Sequence, residues 1–148
     1  MDTLPSSQNI NGHSNSIHVK KIILPDQVME FGRIVQAELM QSVKFDPALM
    51  IQLCNNPSFS AYGLFSAGEL ISGLLAFTDS LSTGLYFIVT KTGYRGKGMA
   101  ESLIENVLQM LFLQQTKKVV LQAVQKAVPL YTRLGFKSHG KLVIFWKH

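Results

Sequence analysis

Leu85-Tyr86-Phe87-Ile88-Val89-Thr90-Lys91-Thr92-Gly93-Tyr94-Arg95-Gly96-Lys97-Gly98-Met99-Ala100 decides how the rest of the chain is read. Leu85 to Thr90 is a continuous apolar, β-rich run, the pattern of a central strand buried on both faces. From Ala100 to Leu113 the apolar residues fall at 99, 100, 103, 104, 107, 108 and 111, a helical i, i+3, i+4 series. The glycine-rich segment between them opens that helix. A helix N-terminus presents unpaired N–H groups and the positive end of the dipole, and glycines let an anion approach the backbone closely. Arg95 and Lys97 add positive charge, so the segment is suited to a pyrophosphate.

Two nucleotide-binding patterns do not fit. Gly93 and Gly98 have the P-loop separation, but Met99-Ala100 follow where Lys and Ser or Thr are needed. A dinucleotide fingerprint starting at Gly96-Lys97-Gly98 fails at Glu101, and the next strand ends in Val124-Gln125 with no acidic residue.

Working outward, Lys118 to Val124 reads as a strand, which makes the unit a strand–helix–strand crossover with one parallel pair. A short helix follows from Ala127 to Leu134, ended by Gly135. Phe136–His139 and Leu142–Trp146 form a last hairpin around Gly140-Lys141. Upstream, Ile17–Leu24 is a strand stopped by Pro25, and Asp26 is read as the N-cap of a helix carrying Val28, Phe31, Ile34, Val35 and Leu39. Asp46-Pro47 starts a second, short helix. Phe59–Ser66 and Leu70–Thr78 are strands joined at Ala67-Gly68. The expected fold is mixed α/β (α+β), a mostly antiparallel sheet flanked by helices, in the order β-α-α-β-β-β-α-β-α-β-β. Residues 17–148 form one domain, and the Asn- and Ser-rich residues 1–16 form a flexible tail.

Composition bounds the function. The chain has 148 residues, 47% hydrophobic and 16% charged, enough for a packed core and unlike a disordered chain. The single cysteine, Cys54, excludes an internal disulfide framework and a Cys-rich zinc site and is read as a buried small hydrophobe. Histidines at 13, 18, 139 and 148 share no metal-ligand spacing, so no metal is expected. No apolar run reaches the roughly 20 residues of a membrane helix, and no N-terminal secretory signal is seen; a cytoplasmic, membrane-free protein is expected, although export without such a signal is not excluded. The net charge of +5 is uneven: residues 1–90 carry 4 basic and 7 acidic residues, 4 − 7 = −3, and residues 91–148 carry 10 and 2, 10 − 2 = +8. The basic residues are scattered over several elements with no recognised nucleic-acid motif, so nucleic acid is disfavoured.

Arg95-x-x-Gly98-x-Ala100 resembles the Q/R-x-x-G-x-G/A signature of the GCN5-related N-acetyltransferase (GNAT) superfamily. Ala127-Val128-Pro129-Leu130-Tyr131-Thr132-Arg133-Leu134-Gly135-Phe136 is similar to a second block of that family, A-x-x-L-Y-x-x-L-G-F. The resemblance implies an enzyme moving the acetyl group of acetyl-CoA to a primary amine by direct attack. It assigns the backbone of Ile88, Val89 and Thr90 to the pantetheine arm and the acyl carbonyl, in a gap where the central strand splays from the next. It assigns the amides of Arg95, Gly96, Lys97, Gly98, Met99, Ala100 and Glu101 to the pyrophosphate, and Tyr131 to protonation of the leaving thiolate. A phenol with pKa near 10 holds its proton at neutral pH and suits that role.

Two positions depart from the family pattern. Val124 stands where many members have an Asn, seven residues before the Tyr, and Thr90 stands where Val is common. No general base is singled out: Asp79, Glu38 and His139 are candidates, each also readable as a surface residue, while Glu101 and Glu105 read as first-turn helix charges. Phe145 and Trp146 alternate faces, one in the core and the other at an acceptor groove or dimer edge, so a homodimer is left open. The alternative function is a non-catalytic acyl-CoA-binding or regulatory module of the same fold. The acceptor groove is expected in residues 26–56 and 137–148.

Overall fold

In this computed structural model residues 16–80 and 82–139 are described. The expected tail, apart from Ser16, and the second strand of the last hairpin lie outside them. Alternating and continuous apolar runs give β1 (Ile17–Ile22), β2 (Phe59–Ser66), β3 (Glu69–Thr78), β4 (Thr83–Thr90) and β5 (Val119–Leu121). The helices are α1 (Pro25–Leu39), α2 (Leu49–Cys54), α3 (Met99–Leu113) and α4 (Val128–Arg133), with a 3-10 turn at Gln125–Ala127 ahead of α4. The strands form one sheet in the order β1-β2-β3-β4-β5. All pairs are antiparallel except β4–β5, which α3 connects as a parallel crossover.

Ala67 and Gly68 turn β2 into β3 with φ of 51° and 81°. Two successive positive φ values match the right-handed twist of the strands they join. The sheet is packed on both faces. On one face, Val28, Phe31, Ile34 and Val35 of α1 and Met50 of α2 bury against Ala61, Phe65, Leu75 and Val89. On the other, Leu103, Ile104, Val107 and Leu111 of α3 bury against Leu64, Ile71, Leu74 and Leu85. The result is three layers, helix–sheet–helix.

The element order follows the sequence reading through α4, and four local expectations are corrected. The strand buried on both faces is β3, buried continuously from Leu70 to Ala76, whereas β4 emerges at Tyr86, which is 44% exposed. Pro25 is the first helical residue of α1 and Leu24 its cap, so Asp26 sits in the first turn, where its charge suits the dipole. The strand expected over Lys118–Val124 pairs only at Val119–Leu121. The helix expected from Ala127 begins as a 3-10 turn. The expected pairing of Phe136–His139 is not among these corrections, because its partner, Leu142–Trp146, lies outside the described residues.

Gly32 allows α1 to lie directly on the α1–α2 connection: a Cβ there would sit 2.3 Å from the Pro47 carbonyl oxygen. Helix propensity alone favours Gly32→Ala by about 1 kcal/mol. Contact with backbone rather than a movable side chain should reverse that sign. The substitution is expected to destabilise the protein by about 1–3 kcal/mol in urea unfolding; a stabilised variant would refute this packing.

Candidate active site

The site begins where β4 loses a neighbour. β5 pairs with Thr83, Gly84 and Leu85 and then ends, so among the described residues 86–90 have no partner on that side. On its other side β4 bulges against β3: the register runs from Leu75↔Tyr86 to Gly73↔Val89, setting Phe87 and Ile88 against Leu74 alone. Phe87 takes a φ of 52°, an uncommon value for a bulky residue. The extra residue switches the faces: Leu85 and Ile88 both pack on the α3 side, and Phe87 and Val89 on the α1 side. Bulges commonly re-aim side chains beside active sites.

The strand end is pinned to β3. Ser72, fully buried, donates its hydroxyl to the Val89 carbonyl at 2.7 Å and lies 2.9 Å from the Thr90 hydroxyl. Lys91 N–H donates to the Ile71 carbonyl. Val89 and Lys91 therefore turn their backbone groups toward β3. In an extended strand the residue between them faces the other way, so the backbone of Thr90 faces the gap. The Thr90 carbonyl there accepts from Arg95 Nε at 3.3 Å.

The loop from Lys91 to Gly98 turns this strand end into α3. Gly93, Gly96 and Gly98 have φ of 97°, 74° and 78°, and a Cβ at any of them would meet open space. The glycines are needed for backbone shape and leave the loop surface uncovered. No side chain caps α3. Among the described residues the N–H groups of Arg95 to Glu101 have no hydrogen-bond partner outside the helix. Successive free amides at a helix start form an anion-binding concavity. Lys97 lies with its ammonium 6.0 Å from the Tyr94 ring centroid and has no ion pair among the described residues. The Arg95 guanidinium, by contrast, is bound to Glu38 of α1.

α4 carries Tyr131 to the α3 side of the sheet, in the cluster that also takes in Ile88 and Met99. Its ring meets Phe136 edge-on, centroids 6.0 Å apart. Burial pushes the phenol pKa above its usual value. One ion pair ties this helix to α3, Arg133 to Glu101 at 2.9 Å.

The candidate bases fare differently. Asp79 accepts from Ser82 N–H at the β3–β4 turn, roughly 23 Å along the strand from Thr90 at 3.3 Å per residue. Glu38 is not a surface residue, its side chain being 11% exposed and bonded to the loop. His139 is exposed. Val124 is 64% exposed and precedes the 3-10 turn, because β5 has already ended. Sequence reasoning missed Ser72, whose signal was a lone hydroxyl inside an apolar strand. It also missed the Glu101–Arg133 pair, which no local pattern announces.

A loop of free amides, an open strand edge and a tyrosine on the adjoining helix agree with one family. Residues 31–145 match the model of the acetyltransferase (GNAT) domain. The chain belongs to the GNAT acetyltransferase family. A glucosamine 6-phosphate N-acetyltransferase of Trypanosoma brucei brucei is 33% identical over 54 residues, which are 36% of this chain and 37% of that protein, so the match spans little more than a third of the relative's length. An acetyltransferase structure from Trypanosoma brucei superposes with TM-score 0.72 at 14% identity, covering 89% of this chain and all of that one. A predicted acetyltransferase with acetyl-CoA from Clostridium acetobutylicum gives TM-score 0.71 at 14% identity, covering 88% of this chain and 96% of its own. At such identities these structures establish the GNAT fold. Among the described residues no cluster of His, Cys, Asp and Glu forms a metal site and no helix is long and apolar enough to cross a membrane.

Tyr62 and Tyr131 both have phenol pKa values raised by burial. An ultraviolet titration of the four tyrosines is expected to show a component ionising above the ordinary value near 10, and Tyr131→Phe should remove about half of it. Folded protons are held more tightly here than unfolded ones, so stability should fall as pH rises past that ordinary value.

Proposed function

We propose that this protein is an N-acetyltransferase that moves the acetyl group of acetyl-CoA to a primary amine. The observation that carries the reading is the free amide run from Arg95 to Glu101, opening beside the unpaired edge of β4. The pyrophosphate of acetyl-CoA suits those amides at the positive end of α3, with Lys97 adding charge. The pantetheine amides are assigned to the backbone of Ile88, Val89 and Thr90 along that open edge, where the Thr90 carbonyl also accepts from Arg95 Nε. The family supports acetyl transfer, and the glucosamine 6-phosphate named for the partial relative is an amine acceptor.

In this reaction the amine nitrogen bonds to the thioester carbonyl carbon and the carbon–sulfur bond breaks. The amine gives up a proton to solvent, and the departing sulfur takes a hydrogen bond, then a proton, from the Tyr131 phenol. Tyr131 is kept in its protonated form by burial. We assign no side-chain base: Glu38 is engaged by the loop and Asp79 is at the far end of the sheet. The acceptor groove is proposed on the α1–α2 side, where Phe45 meets Phe87 with ring centroids 6.4 Å apart. A cytoplasmic setting is part of the same reading.

An acetyl-CoA turnover screen over amines, peptides and protein N-termini tests this. A hydrogen bond to a developing charge is worth about 1.5–3 kcal/mol, so Tyr131→Phe should lower kcat roughly 10- to 100-fold while changing KM for acetyl-CoA little. Absence of acetyl-CoA binding by the folded protein in calorimetry would refute the proposal. Binding without turnover on any amine would instead support a non-catalytic acyl-CoA module.

A further inference from the structure

The loop from Lys91 to Gly98 contains three glycines at positive φ, and glycine loses the most conformational freedom when held in one shape. The structure supplies an external clamp. Glu38 lies in the last turn of α1 with its side chain 11% exposed. Its carboxylate accepts from the Thr92 N–H at 3.2 Å, from the Thr92 hydroxyl at 2.9 Å, and from the Arg95 guanidinium. Arg95 also donates from Nε to the Thr90 carbonyl at 3.3 Å. These bonds straddle Gly93 and join α1, the end of β4 and the start of the loop.

We propose that Glu38 is a positioning residue for acetyl-CoA: acting through Thr92 and Arg95, it fixes the loop in the shape that presents the Arg95–Glu101 amides. The inference rests on reading that loop as the pyrophosphate cradle. It differs from a base role, because both carboxylate oxygens already face the loop and its donors. It also has an electrostatic rival. A carboxylate near an anion site opposes binding, and its removal would free Arg95 to attract phosphate. The Arg95 side chain is 57% exposed, so its freed charge would be screened by solvent. Loss of the clamp, by contrast, adds the cost of ordering several residues on binding. The positioning effect is therefore the larger of the two, and the sign of the change separates them.

Calorimetric titration of the full chain with CoA, which needs no acceptor, provides the test. Glu38→Gln is expected to weaken CoA binding roughly tenfold, Glu38→Asp less, and Thr92→Val less. Glu38→Gln combined with Arg95→Gln should bind within about a factor of two of Glu38→Gln alone, since both break one clamp. With an acceptor in hand, KM for acetyl-CoA should rise while kcat changes little. Unchanged or tighter CoA binding by folded Glu38→Gln overturns the inference. So does a kcat loss at unchanged affinity, which would mark a base, or a lowered unfolding midpoint with wild-type affinity, which would mark a purely structural contact. Failure of the wild-type protein to bind CoA would refute the cradle reading itself; wild-type binding with an indifferent Glu38→Gln refutes this inference alone.

Discussion

The parallel pairing of β4 with β5 stops at Leu85, and the arrangement of the site depends on that stop. A strand inside a sheet satisfies its backbone groups on both edges, and an edge left open must find other partners. Here, among the described residues, β4 continues to Thr90 with a single neighbour, β3, and the bulge at Phe87 and Ile88 changes which face each side chain takes. Without the bulge, strict alternation would set Ile88 opposite to Leu85; with it, both lie on the α3 face beside Tyr131. One inserted residue thus aligns the open edge with the helix that carries the phenol. The Ser72 hydroxyl on the Val89 carbonyl then holds the strand end, so the loop departs from a fixed point.

The uneven charge of the sequence acquires a different meaning in the fold. The acidic first half and the basic second half meet each other: Glu30 and Glu69 bind Lys91, and Glu38 binds Arg95. The contacts with Glu69 and Glu30 outweigh partial burial and raise the Lys91 pKa, while the same ammonium lowers that of Glu69. Exposed pairs of this kind add little to stability, because solvent and salt screen them. Glu38 stands apart because its side chain is nearly buried and holds backbone as well as charge. Much of the basic character near the loop therefore serves to seat it on α1. The attraction left for an anion comes mainly from the free amides of the loop, with Lys97 as the nearby cation lacking an ion pair among the described residues.

What the sequence revealed is what local chemistry encodes. The α3 stripe, the Ala67-Gly68 turn, the Gly135 stop and the glycine loop each write their structure into a few neighbouring residues, and the structure has each where it was read. The parallel crossover followed from element order alone. The errors arose where tertiary context decides. An apolar run such as Leu85–Thr90 cannot show that its neighbour will end after three residues, so the run by itself reads as a strand buried on both faces. β3 carries Ser72 and Gly73 inside its apolar run, and Gly73 is where the Phe31 ring lies close, within 2.7 Å of where a Cβ would be. Glu38 was legible only as an acid on a helix; its partners are more than fifty residues away in sequence.

The environment of Tyr131 bears on how a proton could reach the sulfur in the proposed reaction. Burial raises the phenol pKa above its usual value near 10, whereas an ordinary thiol has a pKa near 8.5. Full transfer to a thiolate is made less favourable for this phenol than for an exposed tyrosine by that burial. Tyr131 would therefore act first as a hydrogen-bond donor to the charge growing on sulfur, with net protonation completed as solvent restores the phenol. A donor of this kind need not be acidic; it must be present, protonated and aimed. Packing against Phe136 and the α3 cluster keeps the ring in one place, and the Arg133–Glu101 pair ties its helix to the first turn of α3, where the loop amides end. The phenol and the amides are thus held to one another through α3, so the same element that would grip the pyrophosphate also sets the position of the donor.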